Sequence, residues 1–248
     1  MPIRDPRNEI KSEAKSLLHT AHVSPLRFTM LYLAVNALLS LLETAASYFL
    51  ADSFGEATPS LTFLSLLIAL FGVVLTAGYT NYCLCVRRGE DTPYASLFDG
   101  FSFAGKAVVL MLLEVLLCSF ASVLFIVPGI LLFYAYSFAL FDLCDDPSLG
   151  VVEALRLSRQ QTKGYRLSYF SLQVSFFPFL LLDVLALALC DFIVEPLLPL
   201  TAAGDLLYTL FSHLFSGAVL FYAMPYFNLS LVGFYRRVTA SEESSGED

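Results

Sequence analysis

Charged residues are scarce in this sequence: Asp, Glu, Lys and Arg together make up 15% of its 248 positions. A soluble domain carries about 25% of such residues, so this chain cannot cover its own surface with polar groups. Hydrophobic residues reach 57%, Phe alone occurs 23 times, and the mean hydropathy is +0.72. The excess apolar surface requires a lipid bilayer, which argues against a cytosolic enzyme, a nucleic-acid binder or a secreted disulfide scaffold.

The sequence also lacks the signatures of disulfide, metal and catalytic sites. Its five cysteines are an odd number, and Cys83 and Cys85 would point to roughly opposite faces of a helix. We predict that all five are reduced and buried, with no metal site. A match of Gly100, Gly105 and Lys106 to a phosphate-binding loop fails because the next residue is Ala instead of Ser or Thr. We therefore predict that the protein is not an enzyme and has no cofactor.

Long apolar stretches are abundant, and a helix needs about 20 such residues to cross a bilayer. The stretch 106–140 is too long for one crossing and contains Val127-Pro128-Gly129, which is typical of a hairpin tip. The sequence therefore predicts an all-α, six-span transmembrane helical bundle with amphipathic helices on its cytoplasmic face. The predicted spans cover about 26–50, 61–86, 106–126, 130–143, 167–193 and 206–235. They form a single membrane domain, 1–240, followed by a disordered acidic tail, 241–248.

Basic residues are absent from three of the connections, around 51–60, 127–129 and 194–205. All 14 Lys and Arg residues lie in the two terminal segments and the two remaining connections or, for Arg27 and Lys106, at the span ends next to them. Positively charged residues stay on the cytoplasmic side during membrane insertion. We therefore expect both termini to be cytoplasmic.

Two amphipathic helices are predicted on the basic side. Asp5-Pro6 is typical of a helix start, and the apolar residues that follow at helical spacing indicate a helix that lies on the membrane surface. Asp146-Pro147 begins the second helix, and Gly164 ends it. Along it, one stripe carries Arg156, Arg159 and Lys163. This stripe could bind anionic lipid headgroups or could only anchor the orientation of the protein, and both interpretations stay open.

We single out four of the ionisable residues inside the predicted spans as candidate functional residues. Helical rise places Glu43, Asp183 and His213 at comparable heights in the outer half of the bilayer and Glu114 in the inner half. An intramembrane ionisable group is expensive and should face protein or water. The first three could therefore form a proton or cation path in a small transporter or channel. The alternative is that the carboxylates reach the outer interface separately while the histidine bonds to a neighbouring helix.

Several blocks of residues resemble a known family. The block Glu153–Ser158 followed by Lys163-Gly164-Tyr165 and Phe170–Ser175 looks like the signature of a bacterial multi-pass membrane family, catalogued as domain of unknown function 975. Arg88-Gly89-Glu90 and Val127–Ile130 are similar to other parts of it. One departure is Pro178-Phe179 at the place of an expected Trp, a residue that this chain lacks.

The resemblance implies a protein of the bacterial cytoplasmic membrane and brings no activity and no catalytic residues. Our leading hypothesis is a membrane component that interacts with membrane lipids or with another membrane protein, with no nucleic-acid partner. The transporter or channel is the alternative.

Overall fold

The computed structural model describes residues 7–21, 23–50, 59–199 and 201–246. Within these ranges the chain is helical and contains no strand, which confirms the all-α prediction. Two 3₁₀ segments, Tyr94–Phe103 and Glu195–Leu197, accompany the α-helices. The α-helices are α1 (Arg7–Thr20), α2 (Pro25–Leu50), α3 (Pro59–Arg88), α4 (Ala104–Leu124), α5 (Ile126–Tyr136), α6 (Ala139–Asp145), α7 (Val151–Gln161), α8 (Arg166–Val174), α9 (Phe177–Ile193) and α10 (Ala202–Gly246).

Six helical segments of the described chain are long and apolar enough to cross a membrane, judged by length and composition. This confirms the predicted number of spans. The segments are Pro25–Tyr48, Pro59–Arg88, Tyr94–Val123, Ile126–Asp145, Phe177–Leu197 and Ala202–Ser241.

The stretch from Lys106 to Leu140 doubles back, as the sequence predicted. The reversal occurs at Phe125, whose extended backbone (φ −156°, ψ 134°) separates α4 from α5. The predicted tip, Val127-Pro128-Gly129, lies inside α5 instead. Pro128 therefore lies in the first turn of α5, where its missing N–H group leaves no helical hydrogen bond unmade. The two helices come so close that a Cβ added at Gly129 would lie 1.9 Å from the Oγ atom of Ser122.

The predicted span 167–193 is divided in the structure. Helix α8 ends at Val174, and α9 begins at Phe177 with Pro178 in its first turn. In a continuous helix the residue at 178 would donate its N–H group to the carbonyl oxygen of Val174. Because proline has no such donor and its ring clashes with that carbonyl, the helix breaks before it.

The end of the chain also differs from the expectation. The segment from 241 onward was predicted to be disordered, whereas α10 continues to Gly246. Residues 247 and 248 lie outside the described part of the chain. Extending an existing helix requires one residue to be fixed for each hydrogen bond gained, so propagation is far easier than nucleation.

The chain divides into two compact units. The first comprises 1–25, 73–176 and 225–248, and the second comprises 26–72 and 177–224. The helices α3 and α10 therefore contribute one part to each unit. The single domain over 1–240 stays a prediction.

Aromatic side chains form the core of the first unit around Phe138, which is completely buried. Its ring centroid lies 5.2 Å from that of Tyr169 and 5.3 Å from that of Tyr235, both in edge-to-face geometry. The rings of Phe141 and Phe234 lie 6.1 and 6.3 Å away. Edge-to-face pairs add about 0.5–1.5 kcal/mol each to the free energy of unfolding beyond the burial of their area.

The 3₁₀ segment Tyr94–Phe103 packs directly on the backbone of α3. A Cβ added at Gly100 would lie 2.2 Å from the carbonyl oxygen of Val74 and 2.9 Å from the amide nitrogen of Gly78. A Cβ at Gly78 would in turn lie 2.0 Å from the carbonyl oxygen of Leu97. Only glycine allows this contact between two backbones.

Helix α1 buries its apolar stripe in the protein and not in the membrane surface, which corrects our interpretation of its pattern. Ile10, Ala14 and Leu18 are all buried inside the first unit. The ammonium group of Lys11 lies 4.5 Å from the ring centroid of Phe176, also in this unit. An amphipathic pattern fixes which face is apolar but not whether lipid or protein covers that face. The predicted start at Asp5-Pro6 lies outside the described residues.

Within the first unit, Arg87 on α3 connects α1 to α10. Its guanidinium group contacts a carboxylate oxygen of Glu13 at 2.8 Å and donates to the carbonyl oxygen of Leu229 at 3.0 Å. Arg237 contacts the other carboxylate oxygen of Glu13 at 2.6 Å. Partial burial raises the pKa of Glu13, but the hydrogen bonds from Arg87 and Arg237 outweigh it, so the net pKa lies below its ordinary value.

Replacing Glu13 by Gln is expected to destabilise the protein only above the acidic range. Because the carboxyl pKa is lower in the folded state, its stabilising effect is complete above the unfolded value and disappears as the pH falls through the folded value. Unfolding midpoints in detergent micelles should therefore differ at about pH 7 and converge at about pH 3. The exposed Glu153 provides the matched control, Glu153→Gln. A constant difference between wild type and Glu13→Gln over this range would contradict the assignment.

Candidate lipid-binding surface and intramembrane polar residues

The predicted basic helix corresponds to α7 in the first unit, but it begins at Val151 and not at Asp146-Pro147. Its start follows a turn in which the carboxylate of Asp146 accepts hydrogen bonds from the backbone N–H and the hydroxyl of Ser148, at 2.9 and 2.6 Å. Lys106 donates to the carbonyl oxygen of Pro147 and to those of Ser148 and Leu149, the last two at 3.2 and 2.9 Å. Lys106 therefore positions the start of α7, which gives it a structural role in place of a phosphate-binding one.

The inner face of α7 forms hydrogen bonds with the backbone at the break between α5 and α6. Ser158 accepts a hydrogen bond from the N–H group of Phe138 at 3.0 Å and donates to the carbonyl oxygen of Ala135 at 2.9 Å. Thr162 donates to the same carbonyl oxygen at 3.2 Å. A break in a helix exposes such backbone groups, and these two side chains satisfy them. The orientation of α7 is therefore fixed.

The outer face carries the basic stripe, which we define as Arg156, Arg159 and Lys163. All three side chains are exposed. Across the described ranges, none of them forms a hydrogen bond or an ion pair with another side chain. Because the inner face is held by Ser158 and Thr162, the positive charges are presented to the surroundings.

Exposed apolar residues follow the basic stripe directly. Gly164 adopts a left-handed conformation (φ +91°) after α7, as the sequence predicted for the end of this helix. In α8, Leu167 is 76% exposed, and Phe170 and Val174 are exposed as well. Positive charges adjacent to exposed apolar side chains are typical of segments at a membrane interface.

The predicted outer cluster lies in the second unit, where its two carboxylates take separate hydrogen-bond partners. The hydroxyl of Ser65 donates to Glu43 at 2.5 Å, and the hydroxyl of Ser216 donates to Asp183 at 2.7 Å. His213 lines an apolar cavity of about 430 Å³ between α2 and α10. No hydrogen bond or ion pair within the described residues joins any two of these three groups. The two carboxylates therefore bond to neighbouring helices, which is the role that the alternative interpretation gave to the histidine.

Glu114 lies on α4 in the first unit and is half-buried. It forms no ion pair in the part of the chain that the structure describes. The same part contains no group of three or more His, Cys, Asp or Glu side chains that could hold a metal ion.

Sequence reasoning missed a further set of polar residues in the first unit. Asp142 and Asp145 on α6 contact Tyr235 on α10, across about 90 positions of sequence. Asp142 was detectable, because it falls inside the predicted span 130–143 and an intramembrane carboxylate is a candidate functional residue by default. Tyr235 and Gln161 carry no comparable signal.

The six apolar helices define a multi-pass membrane protein. The chain belongs to the family described as protein of unknown function (DUF975), whose model matches residues 117–242, about half of the sequence. This confirms the resemblance. The blocks Val127–Ile130 and those from Glu153 to Ser175 lie inside the matched range, whereas Arg88-Gly89-Glu90 lies outside it. No curated protein and no solved structure matches the chain.

Proposed function

We propose that the protein is a non-enzymatic component of the bacterial cytoplasmic membrane that binds anionic lipid headgroups through its basic stripe. The observation that carries this proposal is the exposure of Arg156, Arg159 and Lys163 without ionic partners among the described residues. A lone exposed cation can serve as an orientation anchor. Three cations on one face of a helix whose other face is fixed form a surface that attracts phosphate groups.

The magnitude of the attraction is sufficient for lipid selectivity. Each Lys or Arg near an anionic membrane surface contributes about 1 kcal/mol, and 1.4 kcal/mol corresponds to a ten-fold change in affinity. Three such charges therefore distinguish an anionic from a zwitterionic lipid by roughly a hundred-fold. The exposed Leu167 and Phe170 would lie at the level of the acyl chains.

The charge distribution supports the orientation that this function needs. Every Lys and Arg of the sequence lies in the segments that we assign to the cytoplasm, and the cytoplasmic leaflet is the one that carries the negative surface potential. With both termini cytoplasmic, α7 faces that leaflet.

Removing two of the three charges of the basic stripe should greatly reduce the preference for anionic lipid. The full chain in detergent micelles is titrated with a short-chain phosphatidylglycerol and with the matching phosphatidylcholine, and binding is followed by calorimetry. Wild type should bind phosphatidylglycerol saturably and more tightly. The double variant Arg156→Gln/Arg159→Gln should bind it at least ten-fold more weakly, since about 2 kcal/mol of attraction is removed.

The control removes the same charge elsewhere. Lys15 and Arg27 are exposed, so Lys15→Gln/Arg27→Gln has the same net charge as the test variant. It should retain at least half of the wild-type affinity. An equal loss in both variants, or equal binding of the two lipids by wild type, would refute the proposal.

A further inference from the structure

Arg166 lies between the charged and the apolar parts of the surface described above. It is the first residue of α8. The basic stripe ends three positions earlier, at Lys163, and the exposed apolar residues begin one position later, at Leu167. The chain turns between the two parts at Gly164 (φ +91°). The side chain of Arg166 therefore starts at the border between positive charge and apolar surface.

Arg166 differs from every other half-buried cation in the described part of the chain. The residues of this kind are Arg7, Lys11, Arg87, Lys106, Arg166 and Arg237. All of them except Arg166 donate hydrogen bonds to side chains or to backbone carbonyls of the protein. Arg166 forms no hydrogen bond and no ion pair with any described residue.

A partly buried guanidinium group without an acceptor is unfavourable, because it has lost water and gained no counter-charge. The Nε atom of Arg166 is shielded by the protein. The two terminal nitrogens are not shielded in this way, so a ligand can reach them from outside. Terminal guanidinium nitrogens present parallel N–H groups, which match two oxygens of a phosphate group.

The neighbouring side chains of α8 indicate that the anion carries hydrocarbon. Phe170 lies one helical turn after Arg166 on the same side of α8, and both Phe170 and Leu167 are exposed. The opposite side of the helix buries Tyr169 and Leu172 in the first unit, which fixes the rotation of α8. A phospholipid bound here would place its acyl chains beside Leu167 and Phe170 while its phosphate faces Arg166.

We propose that Arg166 binds the phosphate group of a single phospholipid, with its two terminal nitrogens donating to two non-bridging phosphate oxygens. The inference rests on the lipid-binding role proposed above, but not on the selectivity for anionic lipid. Anionic and zwitterionic phospholipids share the phosphate group and differ in net charge. Arg166 therefore sets the affinity for both classes, whereas the basic stripe distinguishes between them.

Arg166→Gln should weaken the binding of both lipid classes by a similar factor. The full chain in alkyl maltoside micelles, which contain no phosphate, is titrated with the short-chain phosphatidylglycerol and phosphatidylcholine used above. Each affinity should fall about ten-fold, and their ratio should stay within about two-fold of the wild-type ratio. Arg156→Gln/Arg159→Gln should change that ratio instead. The two proposals therefore fail separately.

Three results of this titration would overturn the assignment of Arg166. They are unchanged affinity for both lipids in Arg166→Gln, a loss confined to phosphatidylglycerol, and no measurable binding of phosphatidylcholine by wild type. Each of them leaves the role of the basic stripe intact. Arg27→Gln is the matched control at an exposed position, and it should retain at least half of the wild-type affinity for each lipid.

Two further comparisons test the chemistry of recognition. Arg166→Lys keeps the charge but loses the parallel N–H groups, so it should lose most of the same affinity. Inorganic phosphate should compete with phosphatidylglycerol at least about a hundred-fold more weakly than a second phospholipid, because it has no acyl chains. Wild-type affinity in Arg166→Lys, or competition by inorganic phosphate at the concentration of the lipid, overturns the proposal.

The stability of the lipid-free protein separates binding from a structural role. Because Arg166 has no partner among the described residues, lipid-free Arg166→Gln should unfold at a midpoint no lower than that of wild type. Added phosphatidylglycerol should raise the midpoint of wild type more than that of the variant, by mass action. A lower midpoint for the lipid-free variant would show that Arg166 stabilises the fold, and this overturns the proposal.

Discussion

Replacing Phe138 by Ala is expected to lower the free energy of unfolding by about 3 kcal/mol. Its ring is completely buried and contacts four other aromatic rings, so truncation leaves a cavity that these rigid neighbours cannot fill. This decrease in the free energy of unfolding is at the lower end of the range for a buried Phe, because the membrane is itself apolar. The decrease therefore comes mainly from lost packing contacts. Unfolding in mixed detergent micelles measures the effect.

The control for this substitution is Phe120→Ala. Phe120 lies on α4 and is 70% exposed, so its removal deletes few contacts within the protein. We expect a change within about 0.5 kcal/mol. Similar losses in the two variants would show that the aromatic cluster around Phe138 does not stabilise the fold.

Replacing Gly100 by Ala is expected to cost about 3 kcal/mol or to prevent folding. The added Cβ would lie 2.2 Å from the carbonyl oxygen of Val74. This atom belongs to the backbone of α3, so relieving the clash requires the helix or the 3₁₀ segment to move. Yield of monodisperse protein and the unfolding midpoint report the loss.

Gly105→Ala serves as the control in the same region. Gly105 lies in the first turn of α4, and a Cβ there would meet no atom within 4 Å. This substitution should raise the free energy of unfolding by about 0.5 kcal/mol, because alanine has less conformational freedom in the unfolded chain. Equal behaviour of the two variants would mean that the close contact between the 3₁₀ segment and α3 is absent in the folded protein.

The basic stripe was predictable because it depends on a local property of the sequence, the spacing of the residues along one helix. Helical spacing alone places Arg156, Arg159 and Lys163 on one face, and the structure shows them exposed. What holds the opposite face was not predictable. Ser158 satisfies backbone groups of Ala135 and Phe138, which lie 23 and 20 positions earlier, and nothing in the spacing of a serine indicates such a contact.

Whether the residues of the outer cluster meet could not be predicted from the sequence. Helical rise gave Glu43, Asp183 and His213 similar heights, but height along a helix says nothing about the direction in which a side chain points. In the structure, serines on neighbouring helices bond to the two carboxylates. The sequence contains many serines in its spans, so it could not indicate which of them would be partners.

By itself, the sequence determined that the chain has six apolar helices and that 106–140 folds into a hairpin. These features depend on stretches of about 20 residues, in which composition alone sets the preference for lipid. The tertiary structure alone decided that protein covers the apolar face of α1, and that Asp142 contacts Tyr235. Those contacts join residues far apart in the chain, and they depend on how the helices rotate about their axes, which packing between side chains fixes.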